Sequence, residues 1–308
     1  MQPILAPVDR ALLKAELTAD RFIRKANNGP NLIYIITRHD SPNVMQEIGR
    51  LREVTFRKAG GGTGKEVDID EFDIAAIPYK QLIVWSEEDE EIVGGYRFLD
   101  CSNAVDENGK IHLATTELFN FSEKFIADYL PFTIELGRSF VQPKYQPSPE
   151  NRKGLFSLDN LWDGLGAITI DYPRIKYYFG KVTMYTSFNS TARDMILYFM
   201  NSYFPDVEKL VTPIYPLSTT HDLTAFAAEV NGHDYKEGHR ILNHHVRELG
   251  ENIPPLVNSY MNLSPTMKTF GTALNPGFGD VEETGILVSI SDIYNSKKER
   301  HLVSYTKK

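Results

Sequence analysis

Apolar positions along the chain alternate between a helical period and short continuous runs, and each change of period marks a change of element. Leu12, Leu13, Leu17, Phe22 and Ile23 recur at roughly helical spacing among charges, which predicts a leading helix closed by Asn27-Asn28-Gly29-Pro30. Residues 32–36 form a continuous apolar run, the pattern of a buried strand. Pro42 then opens a helix carrying Ile48, Leu51, Val54 and Phe56, which ends at Gly60-Gly61-Gly62. Residues 81–85 and 92–99 read as strands around the charged turn 87–90, and so as an antiparallel hairpin. The phenylalanine-rich piece 117–129 looks partly helical and amphipathic.

The stretch 132–166 combines the most features. It opens as a β-branched, apolar strand interrupted by Glu135, passes Gly137-Arg138, returns to Phe140-Val141 and stops at Pro143. A basic loop, Asn151-Arg152-Lys153-Gly154, leads into a helix with Ser157 as its N-cap and Leu158, Leu161, Trp162, Leu165 and Ile168 on one face. A strand, a cationic glycine-containing turn and a helix N-terminus together hold phosphate on backbone N–H groups. Beyond it, 177–185 reads as a strand, and Asn189 or Ser190 caps a helix carrying Met195, Ile196, Phe199, Met200 and Tyr203. Residues 209–215 form a short strand, 218–249 are helical and polar, and 270–274 and 285–290 return to strands.

The chain has 308 residues, 42% hydrophobic and 24% charged, which suits a globular protein. A formal net charge of −8 argues against nucleic acid as a partner, so an acidic partner needs a local basic patch. The single cysteine, Cys101, excludes an intramolecular disulfide, and no cluster has metal-ligand spacing, so no metal is expected. No apolar run is long enough to span a bilayer, and residues 1–17 do not read as a secretory signal; a cytoplasmic location is expected. The triple glycine lacks the GK[ST] of a P-loop and reads as a flexible loop. From composition alone, the acidic segment 68–73 reads as a solvated turn, and Arg97 inside an apolar strand requires a partner.

Several motifs in order resemble the acyl-carrier-dependent branch of the GNAT superfamily. They are Leu51-Arg52-x-x-x-Phe56, Asp70-Glu71-Phe72-Asp73, Tyr96-Arg97-Phe98-Leu99, and Glu135-Leu136-Gly137-Arg138-x-x-Val141-x-Pro143-x-Tyr145. Gly180-Lys181-Val182-Thr183 and Ile253-Pro254-Pro255-Leu256, followed by Asn275-Pro276-x-Phe278, are similar to the C-terminal part of the ornithine-lipid, or hemolysin-like, group. That branch also includes N-acyl amino acid synthases and acyl-homoserine lactone synthases. The chain departs from the pattern at 146–150, where a proline-rich detour precedes Arg152.

The pattern of elements itself gives a C-terminal helical insertion over 218–264, for which the family offers no counterpart, and strands over 265–308 that rejoin the sheet. The resemblance implies an α+β sandwich with a largely antiparallel GNAT-like sheet flanked by helices, its acyltransferase core over 1–217. It implies an N-acyltransferase that moves a long, 3-hydroxylated fatty acyl chain from acyl carrier protein to the α-amine of ornithine or glycine, in aminolipid biosynthesis. Glu135 is then the candidate general base, set against the plainer role of an ion-pair partner for Arg97 or Arg138, with Arg97 and Arg138 beside it. Arg52, Phe56, Asp70, Asp73, Thr183 and Tyr185 would meet the substrates. Phe140, Val141, Arg152, Lys153, Gly154 and Ser157 would hold the phosphopantetheine arm. No tightly bound cofactor is implied; acyl carrier protein, or acyl-CoA, delivers the thioester. Lys144, Arg174 and Lys176 are further cations for an acidic carrier, and amphiphilic substrates imply peripheral membrane contact. Two alternatives stay open: a GNAT enzyme using a short acyl-CoA on a small amine, and a non-catalytic relative that binds an acyl group or a partner.

Overall fold

The computed structural model describes residues 1–147, 154 and 156–306. In chain order the strands are β1 (Phe22–Lys25), β2 (Leu32–Ile36), β3 (Lys80–Ser86), β4 (Glu91–Asp100), β5 (Phe119–Phe121), β6 (Thr133–Val141), β7 (Tyr177–Met184), β8 (Val211–Pro213), β9 (Lys268–Asn275) and β10 (Val281–Ser289). The helices are α1 (Arg10–Glu16), α2 (Pro42–Ala59), α3 (Glu71–Ile74), α4 (Ser157–Asp171), α5 (Ser190–Tyr203), α6 (Thr224–Val230), α7 (Tyr235–Glu248), α8 (Pro255–Met261) and α9 (Asn295–His301). They fall into two compact units. The first holds Met1–Ala114, Phe132–Ile175 and Asn295–Lys308; the second holds Thr115–Pro131 and Lys176–Tyr294.

In the first unit the strands run in the order β1-β2-β3-β4-β6, every pair antiparallel. The two faces of this sheet are covered by different helices. Leu82 on β3 meets α4, where a Cβ added to Gly164 would lie 2.6 Å from it. Its neighbour Gln81 points the other way, to Arg52 of α2. α2 forms as its sequence dictates: Pro42 starts it, Val44, Met45, Ile48, Leu51 and Phe56 are its buried apolar residues, and Gly60 closes it at φ +99. In the second unit β7, β10 and β9 form an antiparallel sheet, β5 pairs with β8, and α5 to α8 pack as helices. The chain is thus a mixed α/β protein with mostly antiparallel sheet flanked by helices. Among the described residues, no helix is long and apolar enough to cross a membrane.

Three expected elements differ. The leading helix stops at Glu16, and Phe22–Lys25 is an edge strand on β2. Arg24 explains the switch: it is buried against Asn27 and against the His301 carbonyl and Ser304, and these last two lie far along the chain where helical periodicity cannot register them. The piece 117–129 splits into β5 and a turn of π-helix, Phe125–Tyr129. Ser157 is the first residue of α4 rather than its cap; the N-cap is Phe156.

Candidate active site

Cross-strand register brings the polar residues of the first unit together. Gln81 on β3 lies opposite Arg97 on β4, and Arg97 lies opposite Gly137 on β6. Two residues along, Leu99 lies opposite Glu135. Because side chains alternate between faces, Gln81, Arg97 and Glu135 all point to the face that carries α2.

Arg52 is fully buried there. Its guanidinium donates to Asp73 Oδ2 at 3.0 Å, to Gln81 Oε1 at 2.5 Å and to the Asp68 carbonyl at 3.3 Å. Gln81 donates in turn to Asp73 Oδ1 at 3.0 Å. Arg97 pairs with Asp70 at 2.6 Å and Asp73 at 3.4 Å, and Arg138 pairs with Asp68 at 2.8 Å and Asp70 at 3.7 Å. The acidic segment is therefore no solvated turn: Asp68 and Asp73 are buried, and Asp70 caps α3 through a reciprocal capping box. Six charges of alternating sign compensate one another inside the protein, which their desolvation demands. Burial pushes the Asp73 carboxyl up, but the charges of Arg52 and Arg97 outweigh it and hold the group below its ordinary value. For Arg97 the balance runs the other way: burial lowers it, and Asp73 and Asp70 raise it further.

Glu135, 1% exposed, accepts a short hydrogen bond from the Tyr79 hydroxyl, whose oxygen accepts from the Ala114 N–H at 3.0 Å. Burial first, and then the charge of Glu135, push the Tyr79 hydroxyl well above its ordinary value, so it keeps its proton and remains a donor. Arg97 covers the Tyr79 ring at 5.1 Å. Burial and the Glu135 charge likewise raise the Cys101 thiol, which makes it a poor nucleophile.

One strand irregularity lies beside Glu135. Gly95 faces Phe140 and Arg97 faces Gly137, so Tyr96 alone opposes both Arg138 and Ser139. Arg138 takes φ +48, a left-handed conformation unusual for a side-chain-bearing residue. Such a bulge interrupts the ladder and bends the strand locally. Next to it Gly94 has no room for a side chain, since a Cβ would lie 2.4 Å from the Phe140 carbonyl oxygen.

The structure thus groups Arg52, Asp70, Asp73, Arg97, Arg138 and Glu135 in one unit. Phe56 is buried on α2, and Phe140 and Val141 end β6. Gly154 is buried, and its Cβ position lies 2.6 Å from the Gln146 carbonyl carbon. Ser157 is buried at the start of α4, and among the described residues its Oγ has no hydrogen-bond partner. Arg152 and Lys153 lie outside the described residues. Lys144 and Arg174 are engaged by Glu91 and Asp100. Thr183 and Tyr185 belong to the second unit, where Thr183 lies opposite Glu283 on β10. Burial, followed by the Glu283 charge, pushes the Tyr185 hydroxyl up to about 12. Sequence reasoning missed Tyr79 and the role of Gln81. The only signal was a polar residue at the mouth of an otherwise apolar strand. Among the described residues, no group of His, Cys, Asp and Glu side chains is placed to hold a metal ion.

Residues 51–152 match the model of the acetyltransferase (GNAT) domain. Over the full length the chain is 56% identical to a glycine N(alpha)-acyltransferase of Phocaeicola vulgatus, covering 94% of that protein. It is also 56% identical to a glycine N(alpha)-acyltransferase of Bacteroides thetaiotaomicron, covering 99% of this chain and 91% of that one. Among solved structures, a CoA-dependent acyl-homoserine lactone synthase overlaps 89% of this chain and 92% of its own, at 13% identity and a TM-score of 0.41.

Proposed function

The chain belongs to the family of these glycine N(alpha)-acyltransferases, acyltransferases with a GNAT domain, and from that premise we propose that it acylates the α-amine of glycine. The donor is a long, 3-hydroxylated fatty acyl thioester on acyl carrier protein, and the product is the first intermediate of an aminolipid. The observation that carries this reading is end-to-end identity of 56% with two proteins of that name. The buried carboxylate on β6 beside a strand bulge supplies compatible chemistry.

The transfer forms one C–N bond and breaks one C–S bond. The glycine nitrogen must lose a proton before it attacks the thioester carbonyl, and Glu135 is the group assigned to receive it, directly or through a water. Tyr79 orients the Glu135 carboxylate by donating to it, and stays protonated in doing so. The carbonyl oxygen turns into an oxyanion, which fixed hydrogen-bond donors of the site must stabilise. The attacking nitrogen sheds its second proton as the adduct collapses, and the expelled pantetheine thiolate takes up a proton, so that amide and thiol result. The N-terminus of α4 and the Ser157 hydroxyl face the donor's phosphate, with Arg152 and Lys153 adding charge. Arg52, Asp73 and Arg97 support the site from behind, since their charges are already spent on one another.

The purified protein is tested with 3-hydroxyacyl carrier protein, long acyl-CoA and acetyl-CoA against glycine and ornithine, reading thiol release and the acylated product. Glycine acylated from the carrier thioester supports the reading. Turnover with acetyl-CoA alone, or preference for ornithine, would sink it. Glu135→Gln should lower kcat by about a hundredfold or more while the protein stays folded; an unchanged kcat removes Glu135 as base.

A further inference from the structure

The second unit contains a cavity of about 260 Å³ whose walls include Asp206, Lys209, Thr269, Asn201 and Phe270. At the volume that liquid water takes, this space matches about nine molecules, the size of a small metabolite. Its polar walls are unusually short of partners. Asp206 Oδ2 is used locally, accepting from the Leu210 N–H at 2.6 Å and the Val211 N–H at 3.4 Å. Its other oxygen, Oδ1, is shielded from bulk solvent and has no hydrogen-bond partner. The same holds for Thr269 Oγ1, on a residue 4% exposed that is fixed by a bond from its N–H to the Phe204 carbonyl at 2.8 Å. A buried polar oxygen without a partner costs about 1–3 kcal/mol, so two on one cavity call for an explanation.

Lys209 supplies the complement. It stands three residues after Asp206 and is held at φ +52, yet among the described residues no carboxylate lies within 4.0 Å of its ammonium. The neighbouring Glu208 is engaged elsewhere, by the Tyr129 hydroxyl at 3.1 Å, Lys268 at 3.6 Å and Lys124 at 3.7 Å. The lining therefore combines a carboxylate that has one unpartnered oxygen with an exposed lysine that, among the described residues, is outside any ion pair. A simple cation would meet Lys209, and a simple anion would meet Asp206. A small zwitterion suits both.

We infer that this cavity binds a small α-amino acid, its ammonium group donating to Asp206 Oδ1 and Thr269 Oγ1 and its carboxylate facing Lys209, with the Asn201 amide at the rim. The site lies outside the groups assigned to acyl transfer, and the inference does not rest on glycine being the acceptor.

The test is calorimetric titration of the full chain, without acyl donor, using glycine, alanine, ethanolamine and acetate. Three variants report on the walls. Asp206→Asn can keep an oxygen on the turn and put an amide NH2 in place of the free one, Thr269→Val replaces the hydroxyl by a methyl at nearly constant shape, and Lys209→Met removes the charge. The expected result is a binding event for glycine or alanine that ethanolamine and acetate do not reproduce. Asp206→Asn and Lys209→Met should each weaken it about tenfold or more, and Thr269→Val by less, with far-UV spectra unchanged. Three outcomes overturn the inference: amino acid binding that is indifferent to all three changes, equal binding of the singly charged analogues, and no titratable binding, in which case ordered water satisfies both oxygens. A protein that acylates no amino acid yet shows Asp206-dependent binding would defeat the proposed reaction and leave this site standing.

Discussion

Asp73 is the residue on which the buried charges of the first unit converge. It meets Arg52, Arg97 and Gln81, and its side chain has no solvent exposure. Removing one member of such a buried set leaves the others uncompensated, a loss of about 3–5 kcal/mol. Asp73→Asn keeps the shape and removes the charge, so a loss of that order at pH 7 is expected in urea unfolding. The pH dependence has a fixed sign. The folded pKa of Asp73 lies below the unfolded value near 3.8. Its stabilisation is therefore complete above about pH 5, and drains away as pH falls through 3.8 towards the folded value. The stability gap between wild type and Asp73→Asn should narrow below pH 4. A gap constant from pH 7 to pH 3 would show that the charge of Asp73 contributes nothing, and that the loss comes from setting an amide NH2 against the donors of Arg52 or Gln81.

At the scale of elements, α4 carries the clearest consequence. It starts without a side-chain cap, and the buried hydroxyl of its first residue, Ser157, has no hydrogen-bond partner among the described residues. If that hydroxyl serves a phosphate of the donor, its bond is to a charged group and worth about 1.5–3 kcal/mol. Ser157→Ala should then raise KM for the acyl donor by about tenfold, leave KM for glycine unchanged, and scarcely alter Tm. A shift in Tm without a shift in donor KM would assign Ser157 to packing alone. The elements themselves differ in how far the sequence reveals them. β3 and β4 were legible because a continuous apolar run, a charged turn and a second run form a purely local pattern. α2 was legible through its proline start and glycine stop. β1 was not, because its burial depends on Asn27, His301 and Ser304, and the last two enter the fold almost three hundred residues later. The bulge at Arg138 was hidden too: Gly137-Arg138 reads as a turn or a strand, and only the register against Gly95 and Arg97 shows two residues opposing one. The aspartates of 68–73 looked solvated by composition, because composition does not register which arginines lie across the sheet. The ordered motifs of the resemblance grouped Asp70 and Asp73 with Arg52, Arg97 and Arg138, but not Asp68.

For the whole molecule, net charge and local charge act against each other on the proposed partner. The chain carries 41 acidic against 33 basic residues, a formal −8, and acyl carrier protein is itself acidic, so at long range the two repel. Contact requires a local basic surface, for which Arg152 and Lys153 are the candidates, since Lys144 and Arg174 are already paired with Glu91 and Asp100. The two effects have different ranges, and salt separates them. At about 10 mM ionic strength the Debye length is about 30 Å and the repulsion between whole molecules is felt in full. At about 0.1 M it contracts to about 10 Å, which screens that repulsion but spares charge pairs in contact. At about 1 M it is about 3 Å and the contact pairs weaken as well. The kcat/KM for acyl carrier protein should therefore rise and then fall across this series, with its maximum near 0.1 M. Arg152→Glu together with Lys153→Glu should lower that maximum without moving kcat. A steady fall from the lowest salt upward would mean that the basic patch outweighs net charge at every distance. A flat profile would mean that the carrier is not recruited by charge at all, and would favour a donor recognised only through its pantetheine arm.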